Sequence, residues 1–201
     1  MHLQRTGRAV AAVLMVAAVA GCGAEPASSS PTTTEPQPSP TYTCTPQGGK
    51  PYACTGAQYT EQEKQKVLVD SARRVFTRYF NESARLYRSG GASSATAELK
   101  ATTSGAYLKA KQAEFAQLKR SGVKATGGDI KIVRLQPDPE AAAKGFEVGL
   151  TSCIDATTVQ LNREGEAAGR KGFAVAGTVY LKRDGGVLKI ADAEERSVRK
   201  C

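Results

Sequence analysis

The sequence predicts an α+β fold in which N-terminal helices pack on one face of a curved antiparallel sheet. In the first half of the region 60–201, apolar residues recur at three- and four-residue steps, which is the period of a helix. In the second half they alternate with polar residues, and turn sequences such as Asp184-Gly185 separate the alternating segments. Helices followed by hairpin-connected strands are typical of helices segregated on one face of a sheet.

Three helices are predicted before the strands. Thr60 and Glu63 have the spacing of a capping box, so we expect the first helix to begin at Thr60. Gly90 would end this helix, because glycine readily takes the left-handed conformation found after a last helical turn. Two shorter helical patterns follow, over residues 95–100 and 105–120.

Four strands are predicted, over residues 130–134, 146–152, 173–179 and 187–191. Successive side chains of a strand point to opposite faces of its sheet. Leu150 and Ile154 therefore share the face that meets the helices. Cys153 and Asp155 are expected on the opposite face, unless a bulge intervenes.

Residues 1–21 have the organisation of a secretory signal peptide. Arg5 and Arg8 precede twelve apolar residues, too few for a membrane-spanning helix, which needs about 20. Val19-Ala20-Gly21-Cys22 resembles the lipobox of bacterial lipoproteins, in which the cysteine becomes the first mature residue and carries a diacylglyceryl group. We therefore expect lipid on Cys22 to anchor an extracytoplasmic protein to the outer face of the cell membrane. Ordinary cleavage after an A-x-A site at Ala18 to Ala20 is the alternative.

Residues 22–59 are expected to form a tether rich in proline, serine and threonine. Such a composition buries too little apolar surface to offset the entropy lost on ordering. Proline-rich segments also favour an extended conformation, so the tether would hold the folded domain, residues 60–201, away from the membrane.

The chain has five cysteines, so at least one of them has no partner within the molecule. Lipidation would remove Cys22 from the count, and the other four are expected to form disulfides outside the cytoplasm. Four cysteines allow three pairings. A local bond between Cys44 and Cys54 is favoured, although either could instead pair within the domain. The local bond would leave Cys153 to pair with Cys201.

The only histidine, His2, lies in the expected signal peptide, so the mature chain offers no imidazole. Its absence excludes Ser-His-Asp and Cys-His catalytic arrangements and the common zinc sites that need histidine. A four-cysteine zinc site is disfavoured because an oxidising compartment favours disulfides. We therefore expect no metal, no cofactor and no enzymatic activity. Nucleic acid is not an expected partner either, because no stacking-aromatic motif accompanies the basic residues.

A strand with the pattern C-x-D-x-[ST] occurs at Cys153-Ile154-Asp155-Ala156-Thr157. With the lipobox, the tether, the order of elements and the terminal Cys201, it is similar to secreted actinobacterial lipoproteins whose folded part looks like the cone-shaped domain of the nuclear transport factor 2 superfamily. The absence of tryptophan departs from the commoner pattern. The resemblance implies a nuclear transport factor 2-like or cystatin-like fold with a pocket between sheet and helices. In some members that pocket holds an aspartate with tyrosine or histidine partners, and many members have no catalysis.

The candidate residues for such a pocket are Asp155, Tyr79, Tyr87 and Tyr107. Strand alternation turns Asp155 away from the helices, so we expect it to have a structural role. Tyr79, Tyr87 and Tyr107 lie on the apolar stripes of predicted helices, so we expect them in the core.

The leading hypothesis is a non-enzymatic, lipid-anchored domain that binds a ligand or partner at the bacterial cell envelope. An anionic envelope polymer or an envelope protein is a candidate partner, because the first helix is basic. Its basic residues are Lys64, Lys66, Arg73, Arg74, Arg78, Arg85 and Arg88. The alternative is a small-molecule pocket, either an apolar-ligand carrier or an isomerase-like enzyme. An apolar pocket with a buried carboxylate or tyrosine would favour the alternative.

Lipidation at Cys22 is tested directly by metabolic labelling. Cells given radiolabelled palmitate are expected to incorporate label into the wild-type protein, because the mature cysteine would carry acyl chains. Cys22→Ala should abolish the label and release the protein from the membrane fraction. A Cys22→Ala variant that still incorporates label and stays with membranes would show that the lipoprotein assignment is wrong.

Overall fold

The computed structural model of the protein describes residues 40–46, 49–163 and 169–201, and the expected signal peptide and Cys22 lie outside them. The α-helices are Gly56–Ser89 (α1), Ala97–Thr102 (α2) and Gly105–Ser121 (α3). The strands are Tyr42–Cys44 (β1), Tyr52–Cys54 (β2), Val123–Thr126 (β3), Lys131–Asp138 (β4), Val148–Asp155 (β5), Gln160–Arg163 (β6), Arg170–Lys171 (β7), Ala174–Asp184 (β8) and Val187–Val198 (β9). A short 3-10 helix, Ala141–Lys144, lies between β4 and β5.

The first helix begins earlier than the sequence pattern indicated. The hydroxyl of Thr55 accepts a hydrogen bond from the backbone N of Gln58, whose Oε1 accepts one from the backbone N of Thr55 at 2.9 Å. The predicted capping box of Thr60 and Glu63 is therefore wrong. Thr55 and Gln58 have the same spacing as Thr60 and Glu63. The helix begins at the earlier pair because Thr55 directly follows the end of β2 at Cys54. The Thr60 hydroxyl instead donates to the Gly56 carbonyl, 2.8 Å away within the helix.

Residues 40–59 also differ from the predicted tether, because they belong to the folded unit Pro40–Cys201. β1 and β2 form an antiparallel hairpin, and a disulfide joins Cys44 to Cys54 with their Cα atoms 5.8 Å apart. The backbone N of Thr45 donates to Gln62 Oε1 at 3.1 Å, which attaches the hairpin to α1. The predicted boundary of the domain therefore moves from residue 60 to residue 40.

The main sheet consists of the four predicted strands in the order β4-β5-β8-β9, with antiparallel neighbours. A second sheet, in the order β3-β6-β7, was not predicted. Its strands have four, four and two residues, which is too short for apolar alternation to be recognised. The α+β class is confirmed.

The core lies between α1 and the inner face of the main sheet. Helix α1 buries Val69, Ala72, Phe76, Tyr79 and Leu86. The sheet buries Val148, Leu150, Val179, Leu181, Leu188 and Ile190 against them. The register between β5 and β8 is unbroken from Val148 to Asp155. The predicted alternation therefore holds, and Asp155 lies on the outer face of the sheet.

A second disulfide fastens the C-terminus to the outer face of the main sheet. Cys153 of β5 is almost completely buried, and its Cα lies 5.7 Å from that of Cys201. β9 pairs with β8 as far as Val198, so the bond holds the end of the last strand to the middle of the sheet. Both disulfides have the pairing that the sequence favoured.

The two disulfides are expected to differ in their effect on stability. A cross-link restricts the unfolded chain more when it closes a longer loop, and the separations are 48 residues for Cys153–Cys201 and 10 for Cys44–Cys54. Replacing Cys153 and Cys201 by serine should lower the free energy of unfolding by about 4 kcal/mol, measured by urea denaturation. The matched Cys44/Cys54 double variant should lose about 3 kcal/mol. A larger loss from the Cys44/Cys54 variant would contradict this account of the C-terminal bond.

Candidate functional site

A cavity of about 160 Å³ lies where α1 and α3 meet the two sheets. Its wall is mostly apolar, and its apolar side chains are Phe80, Ala84, Phe115, Ala125, Ile130, Ile154, Ala156, Val159, Leu161, Phe173 and Val175. Three of them are alanines, contributed by α1, β3 and the segment after β5, and these small side chains leave the space open. Phe173 is 50% exposed, so the cavity reaches the surface beside it.

Two tyrosines form a polar contact at the wall of this cavity. Tyr79 of α1 lines it, and the hydroxyl of Tyr107 of α3 donates a hydrogen bond to the Tyr79 hydroxyl at 2.8 Å. Burial raises the pKa of both phenols, so both are neutral at physiological pH. The Tyr79 hydroxyl keeps its own hydrogen, because it acts as the acceptor in this pair.

A lysine enters the same wall from α3. The side chain of Lys111 is only 15% exposed, and its Nζ lies 3.1 Å from Glu114 Oε2 and 3.4 Å from Glu195 Oε2. Burial alone would lower the pKa of Lys111, but nearby acidic groups, among them the carboxylates of Glu195 and Glu114, outweigh it and raise the pKa. The ammonium is therefore charged and already paired with two carboxylates.

Tyr87 is held by the same carboxylate cluster. Its hydroxyl donates to Glu114 Oε1, and its side chain lines the cavity. Burial and then the charge of Glu114 raise the pKa of Tyr87, so this phenol is also neutral.

Ser83 is the one buried side chain in the described residues whose polar atom has no hydrogen-bond partner. It lines the cavity one helical turn after Tyr79, and 9% of the residue is exposed. Burial raises the pKa of Tyr79, and a hydrogen-bonding contact with Ser83 acts to lower it. That contact falls outside ordinary hydrogen-bond geometry, so Ser83 Oγ has no partner of that kind. Ser83 therefore brings unused hydrogen-bonding capacity to the cavity wall.

The structure separates the residues that sequence reasoning considered together. Asp155 does not line the cavity and instead accepts hydrogen bonds from the backbone N and the Oγ1 of Thr157, at 2.9 and 2.7 Å. These hydrogen bonds lower the pKa of Asp155. Tyr79 and Tyr87 belong to the core region as expected, but both also face the cavity. Tyr107 is buried behind Tyr79.

The sequence analysis did not select Ser83, Lys111 or Glu195. The sequence did contain a signal for Ser83 and Lys111, because each is a polar residue at a position where the helical period predicts an apolar one. Lys111 lies four residues after Tyr107 and four before Phe115, both of which are buried. No such signal marked Glu195, because it lies in the part of β9 that extends beyond the predicted strand over residues 187–191.

The basic face of α1 is largely paired with carboxylates of the same domain. Arg78 Nε donates to Glu98 Oε1 at 2.7 Å, and Arg73 lies 3.4 Å from Asp70. Arg88 donates to the carbonyls of Gly127 and Gly128 at 3.1 and 2.7 Å. These contacts reduce the positive charge available for an anionic partner.

Glu82 forms the most buried of these ion pairs. It accepts two hydrogen bonds from Arg85 and one from the Thr96 hydroxyl, each at 2.7 Å. The side chain of Glu82 is 9% exposed. The hydrogen bonds from Arg85 are the largest cause of its lowered pKa.

The comparisons with known proteins do not identify this chain. No known protein family, curated protein or solved structure matches it. The resemblance to the nuclear transport factor 2 superfamily therefore stays a prediction. No helix in the described ranges is long and apolar enough to cross a bilayer. The same ranges contain no cluster of three or more histidine, cysteine, aspartate or glutamate side chains placed to hold a metal ion.

Glu82→Gln is expected to lower the free energy of unfolding at pH 7 by about 1–3 kcal/mol, because a buried charged acceptor loses its charge. The folded-state pKa of Glu82 is lowered, so its contribution is complete above the usual carboxyl pKa and is lost as the pH falls below about 4.5. The difference between wild type and variant, measured by urea denaturation, should therefore shrink at acidic pH.

Glu61→Gln is the matched control for Glu82→Gln. Glu61 also pairs with a residue three positions away on α1, but its side chain is 61% exposed. This variant should have nearly wild-type stability, since exposed ion pairs contribute little. If both variants lose the same free energy of unfolding, burial does not determine the contribution of Glu82.

Proposed function

We propose that this protein is a non-enzymatic, lipid-anchored protein of the bacterial cell envelope whose extracytoplasmic domain binds a small, largely apolar ligand in the cavity between α1, α3 and the sheets. The proposal combines the expected lipid anchor with the alternative hypothesis of a small-molecule pocket, in which the domain carries an apolar ligand. The single observation that carries it is the apolar cavity of about 160 Å³ with neutral tyrosines in its wall.

The size and lining of the cavity support binding of a small aromatic ligand. An apolar cavity of about 150 Å³ in another protein stays dry and binds benzene. A concave, mostly apolar wall with a few polar groups is the usual lining of a small-molecule site, and this cavity has both features.

The protonation states at the cavity support binding rather than proton transfer. General acids and bases work best when their pKa lies near the operating pH. The pKa values of Tyr79, Tyr87 and Lys111 are all raised above ordinary values that are already far above neutrality. Asp155, which corresponds in type to the aspartate of the catalytic pockets described above, is not part of this wall.

The proposed location rests on the N-terminal sequence and on the disulfides. Residues 1–21 followed by Cys22 have the order of an export signal and lipobox. Two disulfides within one domain fit an oxidising compartment. We do not adopt an anionic envelope polymer as the principal partner, because Arg73, Arg78 and Arg85 are already paired with carboxylates.

Indole, a neutral aromatic molecule, is expected to bind saturably in the cavity. The test is a titration of the full chain carrying Cys22→Ala, in detergent-free buffer, followed by amide chemical shifts in NMR spectra. Ala84→Phe should weaken binding at least tenfold, because Ala84 lines the cavity and a larger side chain would occupy it.

Ala113→Phe is the matched control, since Ala113 is an exposed residue of α3 that does not line the cavity. Its affinity for indole should equal that of the wild type. If Ala84→Phe does not fold, Ala156→Leu replaces it in the test, because Ala156 also lines the cavity. Indole that fails to bind the wild type, or binds folded wall variants unchanged, would refute the proposed function.

A further inference from the structure

We propose that the cavity selects uncharged ligands, namely an aromatic or branched aliphatic body with one hydroxyl or carbonyl group that hydrogen-bonds to Ser83 Oγ. This inference rests on the proposed function and specifies the chemical class of the ligand. Two independent observations support it, the unpartnered hydroxyl of Ser83 and the charges that surround Lys111.

Ser83 supplies the polar contact. Its Oγ is buried without a hydrogen-bond partner among the described residues, and the residue lines the cavity. A buried hydroxyl without a partner destabilises the folded protein. A ligand whose hydroxyl or carbonyl oxygen lies beside Ser83 removes that penalty, because the hydroxyl can donate or accept. Tyr79, one helical turn away on the same wall, keeps a hydrogen that it can donate to the same group.

The charges around Lys111 disfavour an anionic ligand. Lys111 Nζ is within 3.4 Å of a carboxylate oxygen of Glu195 and 3.1 Å of one of Glu114. These three groups together carry one net negative charge, and both Lys111 and Glu195 line the cavity. An incoming carboxylate would therefore leave water without gaining an unpaired cation.

A cationic ligand is also disfavoured. Its ammonium would leave water for a largely apolar wall. The net negative charge around Lys111 attracts a cation, but the lost hydration offsets that attraction, since neither carboxylate is free to replace the water. Both carboxylates near Lys111 are already engaged by it, and Glu114 accepts a further hydrogen bond from Tyr87. A neutral ligand meets neither penalty, so the wall discriminates by charge.

The test compares four probes of similar size, each titrated into the full chain carrying Cys22→Ala and monitored by amide NMR shifts. Benzyl alcohol, benzylamine and benzoate share one ring and differ in charge, and toluene lacks the polar group. Benzyl alcohol should bind at least tenfold more tightly than benzylamine or benzoate. Equal or tighter binding of either ion would overturn the inference.

Ser83→Ala tests the hydrogen bond. It should weaken benzyl alcohol binding about fivefold and leave toluene binding unchanged, without lowering the thermal unfolding midpoint, because it removes an unpartnered hydroxyl. Ser71→Ala is the matched control on α1, since the Ser71 hydroxyl donates to the Val67 carbonyl at 2.8 Å and does not line the cavity. Its benzyl alcohol affinity should stay at the wild-type value. An unchanged affinity in Ser83→Ala would overturn the assignment of this contact.

Glu195→Gln tests the charge selection. It removes one carboxylate from the cluster, so benzoate should bind at least fivefold more tightly than to the wild type, with benzyl alcohol within twofold. An unchanged benzoate affinity would overturn selection by charge. If all four probes bind the wild type equally, this inference fails while the proposed function stands, and if none binds, the proposed function itself fails.

Discussion

The packing of α1 against the inner face of the main sheet is the contact on which the rest of the structure depends. The helix has 34 residues and is therefore about 50 Å long at 1.5 Å per residue. Its buried side chains run from Val69 to Leu86, so the first turns extend beyond the core. The β1–β2 hairpin packs there and is locked by the Cys44–Cys54 disulfide. Toward its other end, α1 lines the cavity with Tyr79, Ser83 and Tyr87, together with residues of both sheets.

The cavity combines an apolar wall with a few polar groups that are mutually satisfied. The Tyr79–Tyr107 and Tyr87–Glu114 hydrogen bonds and the pairs of Lys111 use nearly all the hydrogen-bonding capacity around it. A satisfied polar network fixes side-chain positions, because any rearrangement leaves a buried group without its partner. Ser83 Oγ has no partner and the neighbouring Tyr79 hydroxyl keeps a hydrogen to donate, so these two groups indicate where a ligand's polar atom would lie.

Sequence reasoning predicted the features that depend on local periodicity. Strand alternation placed Asp155 on the outer face, since the register of β5 with β8 contains no bulge. It failed where two local signals competed, as at Thr55 and Thr60, which both begin a capping-box sequence. It also missed β3 and β6, whose four residues each give too short a pattern. The family resemblance implied a pocket between sheet and helices, but its polar lining could not be predicted, because Ser83, Lys111 and Glu195 meet only through the packing of α1, α3 and β9.

A crystal structure of the protein soaked with 4-bromobenzyl alcohol tests the central claim most directly, because bromine is located by its anomalous scattering. The account predicts one bromine site inside the cavity bounded by Phe115 and Phe173, with the ligand hydroxyl within hydrogen-bonding distance of Ser83 Oγ. An unoccupied cavity, with bromine only at surface positions, would contradict it.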